Sequence, residues 1–465
     1  MILASVIFCS CSDTSKEADA GAEVYQKTDN SLNLCIYNTD TLNPLKTSAR
    51  HNAEVLSLLY DSLFSVTQKF EAVPDICESF SVSNDGLVYS FKIRDNIKFQ
   101  NGKPLTAKDV SKSLNTIISS GGYYKNRLFM VTRTAFSDTH VRIHLDRPVK
   151  NFCVLLDFPI LYNGGEKDDE NDILSKIPSG SGIYSVSEYS VNKKIALTVN
   201  KNHHSGHMPY IENININIVP DRKTAVSMLE SGQIDLITGD AIDIENYTPA
   251  KSLSYKEFND TKFVFVGMNT DNDVTYSKDV RAYISQVLSE TDLSDIFHNR
   301  KSHSFVHPDA TGNFRSQKAD MSEWKDKDGD GILEKENSKK TEKLSFELLV
   351  NKENPEKVYL AEKIKQALTS SGINIKIRGY DFKRYTEKIR TFDYELFLGE
   401  TILLPNFDED NLKNLFNISK SSEIPVSSLY FKNGVIIYQD VLKIPEIKML
   451  NPYKNIVFFE LSLTS

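Results

Sequence analysis

The sequence predicts an α/β fold spread over more than one domain, and three observations lead there. At 465 residues the chain is longer than a single hydrophobic core sustains, so it divides into two or three domains. Apolar residues make up 40% of it and aromatic residues 10%, enough to fill such cores and to exclude a disordered chain. Short alternating apolar runs, the period of a half-buried strand, are interleaved with apolar residues at three- and four-residue spacing, the period of an amphipathic helix. Mixed along one chain, the two periods indicate α/β and not a bundle or a sandwich.

The elements follow in order. Tyr89, Phe91 and Ile93 alternate with polar residues as on a strand. Thr106 and Asp109 form a capping-box variant that opens a helix with Val110, Leu114 and Ile117 on one face. Val141, Ile143 and Leu145 make another alternating strand. A helix from Asp221 carries Ala225 and Leu229, ends at Gly232, and is followed by a strand over Ile234 to Ile237. Near the C-terminus, Asn354 caps a helix with Pro355 in its first turn and Val358, Ala361, Ile364 and Leu368 on its apolar face. Gly372 suits the left-handed position that ends it. Ile373, Ile375 and Ile377 alternate as a strand, Asp381 caps a short helix, and Tyr394 to Leu398 form a further strand.

Acidic residues outnumber basic ones by 63 to 55, for a formal charge of −8. This argues against nucleic acid as a partner, since its binders carry a basic stripe. Met1 to Phe8 is apolar but far shorter than the roughly 20 residues of a membrane-spanning helix. That length fits the core of a secretory signal. Phe8-Cys9-Ser10-Cys11 resembles a lipobox, in which a small residue precedes a cysteine that is acylated and becomes the new N-terminus. The expectation is a signal over 1–11 with lipidation at Cys11, which places the body outside the cytoplasm on a lipid anchor. Residues 12–31 are polar and aperiodic and read as a tether. Cys35, Cys77 and Cys153 remain in the body, too few and too scattered for a disulfide framework, and read as small buried hydrophobes.

A set of collinear blocks adds a resemblance. Asn43-Pro44-Leu45 precedes a helix ending at Leu59 to Leu63; Asp85 to Arg94 and Lys98 to Val110 follow; then come Pro178 to Tyr184, Gly267 to Thr270 with Asp279 to Ala282, Asp328 to Leu333, and Leu429 to Gly434. In this order they resemble the family 5 bacterial extracellular solute-binding proteins. The resemblance implies a bilobed, periplasmic-binding-protein-like fold of class II (cluster C): two α/β lobes joined by crossing hinge strands, plus an inserted extra domain. On this sequence it assigns 32–50, 176–262 and 426–465 to lobe I, 51–175 to the inserted domain and 263–425 to lobe II. It further implies a lipid-anchored monomer without cofactor. The monomer would capture a short peptide or peptide-like solute between its lobes and deliver it to an ABC permease driven by separate ATPase subunits. The chain itself has no Walker motif. A peptide-sensing receptor or scaffold on the same fold, or an importer subunit for a non-peptide solute such as a metal chelate, remain alternatives.

Candidate side chains were weighed against this frame. His203, His204 and His207 lie within five residues, but no His-Glu-x-x-His pattern supports a zinc hydrolase, and the stretch reads as a surface turn. Asp326, Asp328 and Asp330 with Gly331 match the start of a calcium loop that lacks its closing glutamate, so they are weak metal candidates. Gly180-Ser181-Gly182 lacks the spacing of a nucleophile elbow. The chain therefore reads as a binder and not an enzyme. Peptide-binding members hold the ligand's ammonium with a carboxylate in a Trp-x-x-Asp-type stretch; here the Trp is absent, and Asp408, then Glu400, are the nearest candidates. By position the resemblance adds Asn38, Thr39, Ser181, Gly182, Asn269 and Thr270 as ligand contacts. The stretch from Asn411 to Pro425 is shorter than in most members, which implies a smaller second lobe.

Overall fold

Three β-sheets carry the architecture. The computed structural model describes residues 27, 29–38, 41–162, 177–240, 253–271, 274–275, 277–291, 299–310, 318–336, 341–410, 413 and 425–462. The first sheet has the order Ser31–Tyr37, Asn213–Val219, Lys194–Val199, Tyr184–Ser190. Its first pair is parallel, in register from Ser31↔Asn213 to Tyr37↔Val219, and the others are antiparallel. Leu32, Leu34, Ile36, Ile214 and Ile216 are fully buried in the largest core. Cys35 and Val219 project into a smaller cluster with Ala225, Leu229 and Ile237. The helix Arg50–Leu56 is pinned to the end of the first strand by Asn52, whose amide accepts from the Tyr37 N–H and donates to the Tyr37 carbonyl at 2.9 and 2.8 Å. That side chain substitutes for a strand neighbour and so fixes where Arg50 stands.

The second sheet is antiparallel, in the order Cys77–Val82, Val88–Ile93, His140–Leu145, Val131–Phe136. One face is covered by the helix Ala107–Ser119, where the Asp109 carboxylate accepts from the backbone N–H and hydroxyl of Thr106 at 3.1 and 2.6 Å. Val110, Leu114 and Ile117 are fully buried against Phe91, Val141 and Ile143, as the two periodicities require. On the same face, Phe80 and Val82 on one edge strand pair with Phe91 and Tyr89, Phe136 on the other pairs with Val141, and all three remain exposed.

The third sheet has seven strands, ordered Leu236–Asp240, Val426–Gln439, Leu253–Met268, Leu396–Ile402, Ser345–Asn351, Asn374–Tyr380, with Asn299–Lys301 beside Val426–Gln439. Two of these strands, of 16 and 14 residues, the longer also paired with Leu396–Ile402 and the shorter with Leu236–Asp240 at one end and Asn299–Lys301 toward the other, run antiparallel along each other. Their pairing slips between Asn259 and Phe263, so Asp260, Thr261 and Lys262 sit at an irregularity midway. Beyond it Val264 and Val266 face a core under the helices Lys278–Glu290 and Pro355–Ser370, while Phe263 and Phe265 face the largest core. Three glycines make this aromatic layer possible. Gly267 lies opposite Phe397, Gly399 opposite Phe265, and Gly434 opposite Phe258, and a Cβ at any of them would collide with the facing ring.

The C-terminal α/β unit forms with its expected caps. The Asn354 side chain accepts from Lys357 N–H at 3.2 Å, Pro355 occupies the first turn, and Gly372 has φ +80°. The Asp381 side chain accepts from Arg384 N–H at 2.9 Å. Two details shift. Val358 is exposed, and Leu360 joins Ala361, Ile364 and Leu368 on the buried face, because the sheet covers the side of the first turn that carries Lys357 and not Val358. The expected 234–237 and 394–398 strands begin two residues further on, at Leu236 and Leu396, after Asp235 N–H has bonded the Asn33 carbonyl and Asn269 has tied down the Tyr394 carbonyl.

Candidate functional site

A cavity of about 710 Å³ opens beside the third sheet, between the first helix, the 123–129 and 157 segments and the chain at 402–405. Its floor is the midpoint of the long strand, Asp260 and Thr261. One wall comes from the first helix and the segments flanking the second sheet, with Arg50, Glu54, Tyr123, Tyr124, Arg127 and Asp157; the facing wall is Ile402 to Pro405, at the end of the Leu396–Ile402 strand. The volume lies in the ~300–1,000 Å³ range of small-ligand sites, and the mixture of apolar walls with a few convergent charges is their usual make-up.

The charges are paired in a way the backbone dictates. Arg50 opens its helix, so Glu54 lies one turn along, and the guanidinium Nε is 2.7 Å from the Glu54 carboxylate. The fork of the same guanidinium grips Asp260 at 2.9 and 3.1 Å. Burial opposes ionisation of Asp260, yet the Arg50 charge overcomes it and holds the carboxyl below its usual range. Burial wins at Glu54, which is pushed up, with Arg50 opposing. On the same wall, Arg127 makes an ion pair with Asp157 and lies over the rings of Tyr123 and Tyr124 at 5.5 and 5.0 Å. Each arginine–carboxylate pair could exchange a partner for a charged ligand group.

Two contacts close the rim. Arg147, two residues after the His140–Leu145 strand, reaches Asp408 at 3.4 Å and Asp410 at 2.7 Å, beside Phe129. On the other side Phe70, Phe407, Phe431 and His307 pack ring to ring at 4.7–5.7 Å. Phe70 and Phe407 both have positive φ, 59° and 46°, a conformation that bulky side chains rarely adopt unless packing over-determines it.

None of the residues expected at the site lines the cavity. Thr39 falls outside the described residues, as does Cys11. Asn38 is exposed at the end of the parallel ladder, its N–H bonded to the Val219 carbonyl. Ser181 is buried, and Gly180 and Gly182 let their strand close against the Leu59–Tyr60 backbone, where a Cβ would collide. Asn269 ties the far end of the long strand to the Phe392 and Tyr394 carbonyls, and Thr270 follows it. Asp408 belongs to the Arg147 contact at the rim. Glu400 lies two residues before the cavity wall, against Lys357 at 2.6 Å and Lys432 at 3.0 Å. Burial works against its ionisation, and the two lysines overcome it, holding the carboxyl down at about 2. Asp328 and Asp330 each receive the Lys343 ammonium at 2.6 Å, so a lysine already neutralises the acidic loop shared with Asp326. Sequence reasoning missed Arg50, Glu54, Asp260, Arg127 and Asp157. Two signals were available: an i,i+4 Arg-Glu pair, and the polar Asn259-Asp260-Thr261 interruption of an aromatic strand.

With this geometry in hand, comparison decides the family. The description "Bacterial extracellular solute-binding proteins, family 5 Middle" matches residues 71–423, about three quarters of the chain. The chain belongs to family 5. Among relatives of this solute-binding family, the oligopeptide-binding protein AppA of Bacillus subtilis is 24% identical over 84% of this chain and 76% of its own. The nickel-binding periplasmic protein of Escherichia coli is 26% identical over 39% of this chain and 36% of its own. In structure, the ABC transporter substrate-binding protein CtaP of Listeria monocytogenes superposes with a TM-score of 0.67 at 17% identity, over 94% of this chain and all of its own. The family 5 fold is thus the frame of the molecule: bilobed, with its cavity at the crossing strands. No helix among the described residues is long and apolar enough to cross a membrane.

Proposed function

We propose that this family 5 protein captures a peptide-like solute in the Arg50–Asp260 cavity and delivers it, outside the cytoplasm, to an ABC permease with separate ATPase subunits. The observation that carries the reading is the cavity itself: a buried volume between the lobes with two arginine–carboxylate pairs facing it. A zwitterion supplies both charges these pairs exchange for. Its carboxylate replaces Asp260 or Asp157 at an arginine, and its ammonium takes the freed aspartate, so no buried charge is left alone. Tyr123, Tyr124, Phe129 and Leu450 supply apolar surface for side chains of the solute. The peptide-binding names among the relatives support the same class.

The proposal keeps 32–50, 176–262 and 426–465 as lobe I, 51–175 as the inserted domain and 263–425 as lobe II. Cys11 is its lipid anchor, and a monomer is its working form. Asn38, Ser181, Gly182, Asn269 and Thr270 act in it as scaffold outside the cavity lining; Glu400 and Asp408 set the charge of the second lobe near the cavity wall. The cleft acts by binding and closure, without turnover. A metal chelate is the second reading: its carboxylates would suit the same two arginines, and nickel-binding proteins stand among the relatives.

Native mass spectrometry of the body from about Ser31, purified gently from cells on rich medium, tests this. Short-peptide masses that leave on denaturation and are lost in Arg127→Ala support it. A single non-peptide mass shifts the solute class to the second reading. An empty protein whose melting temperature ignores a peptide library overturns capture altogether.

A further inference from the structure

The turn at 203–207 behaves unlike a surface turn. His203 and His204 fold toward each other, ring centroids 4.4 Å apart, and both present Nε2 to Asp61. The distances are 3.0 Å from His203 to Asp61 Oδ1 and 3.4 Å from His204 to Asp61 Oδ2. The Asp75 carboxylate lies 3.5 Å from His204 Nε2 on its other side. His207 takes no part, since its Nε2 faces the Val457 carbonyl at 3.2 Å. None of these residues lines the cavity between the lobes.

We infer that Asp61, His203 and His204 form a binding site for a divalent transition-metal ion, separate from the solute cleft. Four features support the site. First, ligand atoms bound at 2.0–2.1 Å in a tetrahedron stand about 3.3 Å apart; one ligand atom each of Asp61, His203 and His204 lies within 4.8 Å of the others, and the nearest approaches are 3.0 Å to Asp61 Oδ1 and 3.4 Å to Asp61 Oδ2. Second, Asp61 Oδ2, on a side chain only 9% exposed, makes no hydrogen bond of normal geometry and is approached only by His204 Nε2 at 3.4 Å. A buried oxygen satisfied this weakly leaves room for a stronger partner. Third, the surroundings already orient the ligands. His203 Nδ1 lies 2.7 Å from Ser205 Oγ, and Asp75 Oδ2 accepts from Ser62 N–H at 3.1 Å, which turns Oδ1 toward His204. Fourth, Asp61 and Asp75 together balance the charge of a dication bound by two neutral imidazoles, with Asp75 as the nearest group for the fourth position. Two imidazole nitrogens select zinc, nickel, cobalt or copper over calcium or magnesium. The His204 side chain, 19% exposed, leaves a path from solvent. Bound there, the ion joins the turn between the Lys194–Val199 and Asn213–Val219 strands of the first sheet to two distant segments of the chain, at 61 and 75.

The test uses the full chain, purified without a polyhistidine tag and stripped with chelator, then titrated with Co²⁺ under visible spectroscopy. The expected result is saturable uptake of one equivalent with the intense d–d bands of tetrahedral cobalt, displaced by Zn²⁺. His203→Ala and His204→Ala should each weaken uptake at least ~100-fold, while His207→Ala leaves it unchanged. Asp61→Asn should behave like the histidine variants, and if it does not fold, those variants decide. Absence of saturable Co²⁺ or Zn²⁺ uptake overturns the site and leaves the cluster as a protonated ion pair. Uptake that survives both histidine variants also overturns it. Peptide capture by His204→Ala should match that of the unaltered protein, so failure here and failure of the solute reading are told apart.

Discussion

Arg50 holds two carboxylates in one fork, and its removal would leave Glu54 and Asp260 facing each other under burial. Arg50→Ala should therefore destabilise the protein by about 3–5 kcal/mol in urea unfolding, the cost of breaking a buried pair by deleting one partner. Asp260→Asn removes a charge and sets an amide donor against one arm of the Arg50 fork, so it should also lower stability. It should weaken a zwitterionic ligand more than about tenfold by calorimetry, because the ammonium loses its counter-charge. His307 gives a pH signature. Burial lowers it from 6.5 to about 4, with Asp309 opposing and Arg300 assisting the shift. The unfolded imidazole takes up its proton below 6.5 and the folded one only near 4, so the folded state loses stability as pH falls through that window, by on the order of 2–3 kcal/mol. His307→Phe retains the ring packing with Phe70 and Phe431 and should flatten that part of the stability–pH curve. A curve identical to the unaltered protein's would show that His307 does not titrate as its surroundings dictate.

At the scale of elements, caps and strand alternation were legible from the sequence because they are local. Asn354, Pro355 and Gly372 act within one turn of their own helix, and Tyr89, Phe91 and Ile93 within one strand. Asn354→Ala should cost about 1 kcal/mol of thermal stability. The rotation of that helix was not legible, since only the sheet beneath it decides that Leu360 and not Val358 is buried. The glycine–phenylalanine pairs of the large sheet were likewise hidden, because Gly399 and Phe265 lie far apart in sequence and meet only through strand register. Gly399→Ala should overpack that layer and destabilise by about 1–3 kcal/mol, measurable as a lowered midpoint in urea at unchanged slope.

In the whole molecule, the crossing strands place the cavity, and the Arg147–Asp408–Asp410 contact spans its rim. Opening requires that contact and the Phe70–His307–Phe407 cluster to part. Arg147→Ala should shift the ligand-free protein toward open forms, seen as a larger radius of gyration in small-angle scattering, and weaken ligand affinity by about tenfold, since closure must then be driven by the ligand alone. An unchanged radius with unchanged affinity would show that the contact does not bias the lobes.

By itself the sequence determined the α/β class, the positions of the main helices and strands and, through six ordered blocks, the family and the presence of two lobes. These properties rest on periodicity, capping and motif order, each readable over tens of residues at most. The candidate site was decided by tertiary structure. Arg50, Arg127, Asp157 and Asp260 belong to four separate segments, and Asp61 and Asp75 meet His203 and His204 across more than a hundred residues. Charges spread this widely carry no local pattern. Only packing, which sets their distances and removes the water between them, turns them into sites.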